Sequence, residues 1–179
     1  MNTGTISPIE YNSSLAKICS ALQAANLADI WKLESFITSP YLELVCYHDC
    51  QISSVPARLE YRTTYNEAFA VPTFLFRGSL NDGSQVPLLH FWQCFSQASG
   101  HPQNDLWSVI SQTEHKATGV PYFFLHPCKT RSIMHDINPP TATSYLTFWL
   151  SFIARCFNIF IPTSVTPSTH SIVDGCIVR

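Results

Sequence analysis

The sequence predicts an α+β fold, with helices packed over an antiparallel sheet of about four strands, from three observations. Apolar residues recur at helical spacing near residue 18, strand-forming runs separated by short turns fill residues 41–76, and helical spacing returns near residue 150. The hydrophobic share of 46% and aromatic share of 13% provide a core, because disordered chains combine low hydrophobicity with high net charge. At 179 residues the expectation is a single domain spanning 1–179, with a loose Ser-, Thr- and Pro-rich tail from about residue 163.

Leu15, Ile18, Cys19 and Leu22 share one face of a first helix that Ser13 or Ser14 could cap. Residues 30–34 read equally as another helical turn or a short strand. Residues 41–47 follow Pro40 as a strand, with Ser53, Ser54 and Pro56 turning the chain. Residues 58–65 give the best strand pattern, and residues 71–76 supply its antiparallel neighbour. Asn81-Asp82-Gly83-Ser84 is a turn before a helix that starts at Pro87, where proline suits the first turn, and residues 100–104 end it. Residues 106–110 are short and apolar, and residues 122–125 form a strand that leads into His126-Pro127-Cys128. Ile137-Asn138-Pro139-Pro140 blocks a long helix after Cys128, whereas Leu146, Trp149, Leu150, Ile153 and Phe157 align on the last helix.

Composition removes several functions. Ten scattered Lys and Arg and a net charge of −2 leave no basic stripe for phosphate neutralisation, so no nucleic-acid partner is expected. The longest apolar stretch, residues 145–161, contains Arg155 and Asn158 and is shorter than the roughly 20 residues of a membrane span. No transmembrane segment is expected. The first ten residues lack a secretory pattern, which makes the cytoplasm the expected compartment. Seven cysteines at irregular spacing read as reduced thiols. None of the six glycines builds a phosphate-binding loop. Cys46-x-His48-x-Cys50 and His126-x-Cys128 with His135 depart from zinc-site spacings, and Pro127-Cys128 lacks the second cysteine and upstream HxE of zinc deaminases. A metal site is therefore not expected, and nucleotide binding has no motif behind it.

Cys128 remains as a candidate nucleophile. Free cysteines are usually buried small hydrophobes, and Cys19, Cys94 and Cys156 lie in apolar helical patterns that fit this role. Cys128 instead follows a proline at a strand exit and precedes Lys129 and Arg131, cations that favour a thiolate. His126 could serve as a base, an orienting donor or a strand-end residue, sharing a face with Cys128 only if strand geometry persists through Pro127. His115 is a second candidate base. His101-Pro102-Gln103-Asn104 imitates a His-Pro-Asn motif but is interrupted by Gln103 and lies far upstream, so it reads as a loop.

Phe124-Leu125-His126-Pro127-Cys128-Lys129-Thr130 resembles the active-site motif of the autophagy E2-like conjugating enzymes, in the branch that loads the larger autophagy ubiquitin-like modifier onto its acceptor. Similar segments follow the same order, among them Glu60-Tyr61 to Tyr65, Val71-Pro72 to Phe76, Asp82-Gly83, the run from Ile110 to His115, and the run from Tyr145 to Ser151. They span about residues 58–162; the first 57 residues and the tail match poorly.

The resemblance implies a ubiquitin-conjugating (E2)-like fold, Cys128 as the thioester-forming nucleophile and His126 as a supporting residue. A family tyrosine before the Val-Pro strand stands here as Phe69, with Tyr65 earlier on the same segment. Tyr61, Tyr65 and Phe69 are the expected partner-binding residues. The implied partners are an E1-like activating enzyme, the ubiquitin-like modifier and an acceptor protein bearing the target lysine, met in the cytoplasm and transiently at autophagy-related membranes. No cofactor is implied, because the activating enzyme consumes the ATP. Two other readings use the same residues: a cysteine hydrolase pairing Cys128 with His126 or His115, and a noncatalytic scaffold exposing the strand at residues 59–65 to a partner.

Overall fold

A computed structural model describes residues 4–99, 106–162 and 165. The first helix, α1 (Pro8–Ala24), buries Leu15, Ile18, Cys19 and Leu22 on the predicted face. Its cap is Ser7 rather than Ser13 or Ser14. Pro8 fits the first turn, the Glu10 amide donates to Ser7 Oγ at 3.3 Å, and the Ser7 amide donates to the Glu10 carboxylate at 3.1 Å. This reciprocal pairing satisfies donors that the start of a helix leaves free.

Strands β1 (Trp31–Phe36), β2 (Ser39–Ile52), β3 (Val55–Asn66) and β4 (Val71–Leu80) form a meander. Helices α2 (Leu88–Ser99) and α3 (Leu106–Val109) precede β5 (Ile110–Glu114) and β6 (Pro121–Leu125). Helices α4 (Thr130–Ile137) and α5 (Ala142–Cys156) follow. The sheet is antiparallel throughout, in the order β1-β2-β3-β4-β6-β5. It has six strands rather than about four. The two additions are the edge strands, Trp-Lys-Leu-Glu-Ser-Phe and Ile-Ser-Gln-Thr-Glu, whose polar positions mask the strand pattern.

Ser53 and Ser54 close the β2–β3 hairpin, both at positive φ as a two-residue turn of this hand requires, and Pro56 lies beyond the turn inside β3. Asn138 ends α4 in the left-handed conformation just before Pro139-Pro140. The interrupted HPN-like loop at residues 101–104 lies outside the described residues, as does nearly all of the expected tail.

Alternation along the strands gives the sheet two different faces. One carries Trp31, Leu44, Cys46, Leu59, Tyr61, Phe74 and Phe76, which join the core with α1, α2 and α5. The other carries Glu34, Glu43, Glu60, Arg62 and Arg77. There Arg62 donates to Glu34 at 2.7 Å, Glu43 at 3.0 Å and Glu60 at 2.7 Å, and Arg77 donates to Glu60 at 2.8 Å. The β5–β6 hairpin meets this face through Tyr122, whose hydroxyl donates to Glu60 at 2.8 Å, and through His115, whose Nε2 lies 2.9 Å from each Glu43 carboxylate oxygen. Strand β3 is consequently interior, with β2 and β4 as neighbours and both faces covered. The alternative of an exposed scaffold strand is not met over residues 59–63, whose two backbone edges pair with β2 and β4, while Thr64 and Tyr65 pair with β4.

Candidate active site

Strand β6 runs between β4 and β5 and ends at Leu125. The His126 amide then donates to the Val109 carbonyl at 2.8 Å, which fixes the chain at the exit. Pro127 is buried and opens a single 3-10 turn, Pro127–Lys129, that continues directly into α4. His126 caps this turn: its Nδ1 accepts the Cys128 amide at 3.2 Å. Strand geometry therefore does not persist through Pro127. The motif works as a capped turn, with the imidazole bonded to the backbone of the residue that carries the thiol.

The Cys128 thiol is exposed on this turn, beside the exposed side chains of Lys129 and Arg131. Among the described cysteines it is the exposed one. Burial pushes the Cys46 thiol up to about 12 and the Cys156 thiol up to about 11, and it also raises Cys19, Cys50 and Cys94. Those five are poor sources of thiolate at neutral pH. Exposure thus separates Cys128 from the other described thiols.

Two aromatic rings hold the His126 imidazole. Phe124, two residues back on β6, stacks on it with centroids 6.4 Å apart, and Phe69 meets it edge-on at 6.0 Å. Phe69 lies in the β3–β4 connection, where its amide donates to Asn66 Oδ1 at 3.1 Å, and the next residue, Ala70, adopts a positive φ of 52°. Phe69, 38% exposed, is thus brought to His126. Phe124 was legible as a partner of His126 from the two-residue period of a strand.

Tyr61 and Tyr65, expected to bind partners, are instead core residues, 3% and 7% exposed. Tyr61 stacks on Phe74 at 5.6 Å, and the Tyr65 hydroxyl donates to the Ile6 carbonyl at 2.8 Å. Both side chains point to the helix-covered face, so neither ring offers a partner a surface. His115 is 4% exposed, with Nε2 on Glu43 and Nδ1 3.1 Å from the Thr118 hydroxyl. Both ring nitrogens are occupied in the charged network, which removes the base that a Cys128–His115 hydrolase would need. Cys46 and Cys50 share a face of β2 with His48, but among the described residues no three His, Cys, Asp or Glu side chains gather closely enough to hold a metal ion. No helix among them is long and apolar enough to cross a membrane.

Comparison with known proteins gives the family and the fold. The family described as autophagocytosis associated protein, active-site domain, matches residues 36–164 and so extends the similarity upstream of residue 58. The ubiquitin-like-conjugating enzyme ATG10 of Homo sapiens is 29% identical over 135 residues, covering 68% of this chain and 60% of that protein. The enzyme of the same name from Arabidopsis thaliana is 25% identical over 112 residues, covering 58% of this chain and 50% of that protein. The chain thus matches between half and two thirds of the length of these relatives. A crystal structure of the autophagic E2 Atg10 superposes with a TM-score of 0.60 at 18% identity, covering 86% of this chain and 97% of that one, which establishes the E2-like fold. With a matched region that includes the capped turn and its thiol, the chain belongs to the family of autophagocytosis associated protein active-site domains.

Proposed function

We propose that this chain is an E2-like transferase of the autophagy conjugation system that carries a ubiquitin-like modifier as a thioester on Cys128 and passes it to a lysine of an acceptor protein. The observation that carries this reading is the exposed Cys128 thiol on a His126-capped turn, within a family active-site domain whose other described thiols are suppressed by burial. The relatives' names as ubiquitin-like-conjugating enzymes support the same reaction class.

In the first step the Cys128 thiolate attacks the thioester carbonyl that joins the modifier's C-terminal glycine to the activating enzyme's cysteine. A new C–S bond forms, the old one breaks, and the activating enzyme's cysteine leaves as a thiolate that takes up the proton Cys128 gave up to solvent. Two thioesters of similar energy are exchanged, so loading is nearly isoergic. In the second step a lysine amine attacks the Cys128 thioester, an amide bond forms, the C–S bond breaks, and the proton lost by the amine balances the released thiol. The greater stability of the amide drives this step. His126 supports transfer: its Nδ1 is committed to the Cys128 amide, so in the neutral ring Nε2 bears the proton and is a donor, suited to the developing oxyanion or the incoming group. The activating enzyme, modifier and acceptor are the partners of this reading, and the cytoplasm is its site of action, with autophagy membranes reached through those partners.

Incubation with an E1-like activating enzyme, the modifier and ATP tests loading. Wild type should form an adduct that thiol reductant cleaves, Cys128→Ser a reductant-resistant oxyester, and Cys128→Ala none. An adduct that persists unchanged in Cys128→Ala would move the thioester to another residue.

A further inference from the structure

Residues 4–6, just before α1, lie between two elements of the candidate site. Gly4 is buried with φ +71°, pressed on the first turns of α4, where a Cβ would be driven into the Arg131 carbonyl oxygen and come within 3.0 Å of the His135 Cβ. Only glycine fits this backbone conformation and this approach. The Tyr145 hydroxyl of α5 donates to the Gly4 carbonyl at 2.9 Å. On the other side the Ile6 amide donates to the Ala70 carbonyl at 3.0 Å, and the Tyr65 hydroxyl donates to the Ile6 carbonyl at 2.8 Å. Ile6 itself is 3% exposed.

These contacts reach both walls of the site. Helix α4 continues without a break from the turn that carries Cys128, and Ala70 is the neighbour of Phe69, whose ring rests on His126. The segment is thus hydrogen-bonded to the loop that positions the His126 ring and packed against the helix that positions the thiol. We propose that residues 4–6 form a clasp that sets the spacing between the Cys128 turn and the Phe69 loop, with Gly4 and Tyr65 as positioning residues for acyl transfer. The inference rests on the transferase reading above. It gives Tyr65 an indirect role from inside the core.

Attack by a lysine on a protein-bound thioester demands close alignment of both partners, and a misplacement of about 1 Å can cost as much as 100-fold in rate. Alkylation of an exposed thiol by a small reagent demands only access. The clasp therefore affects the first process far more than the second. Tyr11→Phe is the control: it removes a buried tyrosine hydrogen bond of the same kind, from the Tyr11 hydroxyl to the Thr63 carbonyl at 3.0 Å, and keeps the hydroxyl of Tyr65 that bonds Ile6.

The test uses the full chain as wild type, Tyr65→Phe, Gly4→Val and Tyr11→Phe. Each is loaded with modifier by the activating enzyme and chased with acceptor in a single turnover; Cys128 alkylation by iodoacetamide is followed by peptide mass spectrometry, and Tm is recorded. Tyr65→Phe and Gly4→Val should slow the chase by about tenfold, with alkylation changed by less than about threefold. Tyr11→Phe should lower Tm as Tyr65→Phe does and leave the chase near the wild-type rate. Equal chase rates in Tyr65→Phe and Tyr11→Phe would overturn the clasp, and this comparison stands even if Gly4→Val fails to fold. A wild-type chain that takes no thioester from an active E1-like enzyme overturns the transferase reading itself, which is a different result from a clasp that fails in an active enzyme.

Discussion

At the scale of single residues, the decisive contact is the 3.2 Å hydrogen bond from the Cys128 amide to His126 Nδ1. An imidazole that accepts through Nδ1 keeps its proton on Nε2 and acts as a donor, whereas a general base needs a free acceptor nitrogen. Asparagine can reproduce both features, a side-chain oxygen that caps the turn and an N–H that donates. His126→Asn should therefore retain most of the rate of thioester discharge to lysine, while His126→Ala should lose about tenfold or more. Discharge rates of the preloaded variants decide it: equal losses in Asn and Ala would show that His126 acts as a base. The exposure of Cys128 was legible in the sequence, because the residue follows a proline at a strand exit and precedes two cations. The burial of Tyr61 and Tyr65 was not, because β3 has buried side chains on both faces and alternation alone does not say which side a partner could reach.

At the scale of elements, local chemistry decides where structure starts and stops. The capping box of α1 makes Ser7 the residue on which the helix start depends, and Ser7→Ala should cost about 1 kcal/mol. For a chain of this size that corresponds to a Tm lowered by about 2–4 °C, measurable by thermal unfolding. Strands β2, β3, β4 and β6 were legible because they combine β-branched and aromatic residues with nearby turn signals. The edge strand β5, Ile-Ser-Gln-Thr-Glu, buries Ile110 alone and so gives no alternating pattern. Helix α4 was missed for a similar reason. It buries only Met134, its eight residues are mostly polar, and the Pro139-Pro140 stop after it is more conspicuous than its start.

At the scale of the molecule, the sheet carries a hydrophobic face under the helices and a charged face locked by the β5–β6 hairpin. Burial alone would raise the Glu60 carboxyl, but hydrogen bonds from Arg77 and Tyr122 and the Arg62 guanidinium hold it below its ordinary value of 4.5. A carboxylate depressed on folding stabilises fully above that ordinary value, and the contribution is lost as pH falls through the lower folded value. Wild type should therefore lose stability below about pH 4.5, and Glu60→Gln should show a shallower fall in Tm between about pH 5 and 3. Identical pH slopes would mean that Glu60 contributes no such linkage. The network was invisible in the sequence because Glu34, Glu43 and Glu60 come from three separate strands and are gathered on Arg62 only once those strands pair. Above this frame stands the thiol, and a single-turnover chase of the purified Cys128 thioester tests its role most directly. Transfer chemistry predicts an isopeptide bond to an acceptor lysine when acceptor is added and a persistent thioester when it is withheld. Rapid loss to water at the same rate with and without acceptor would contradict it and identify a hydrolase.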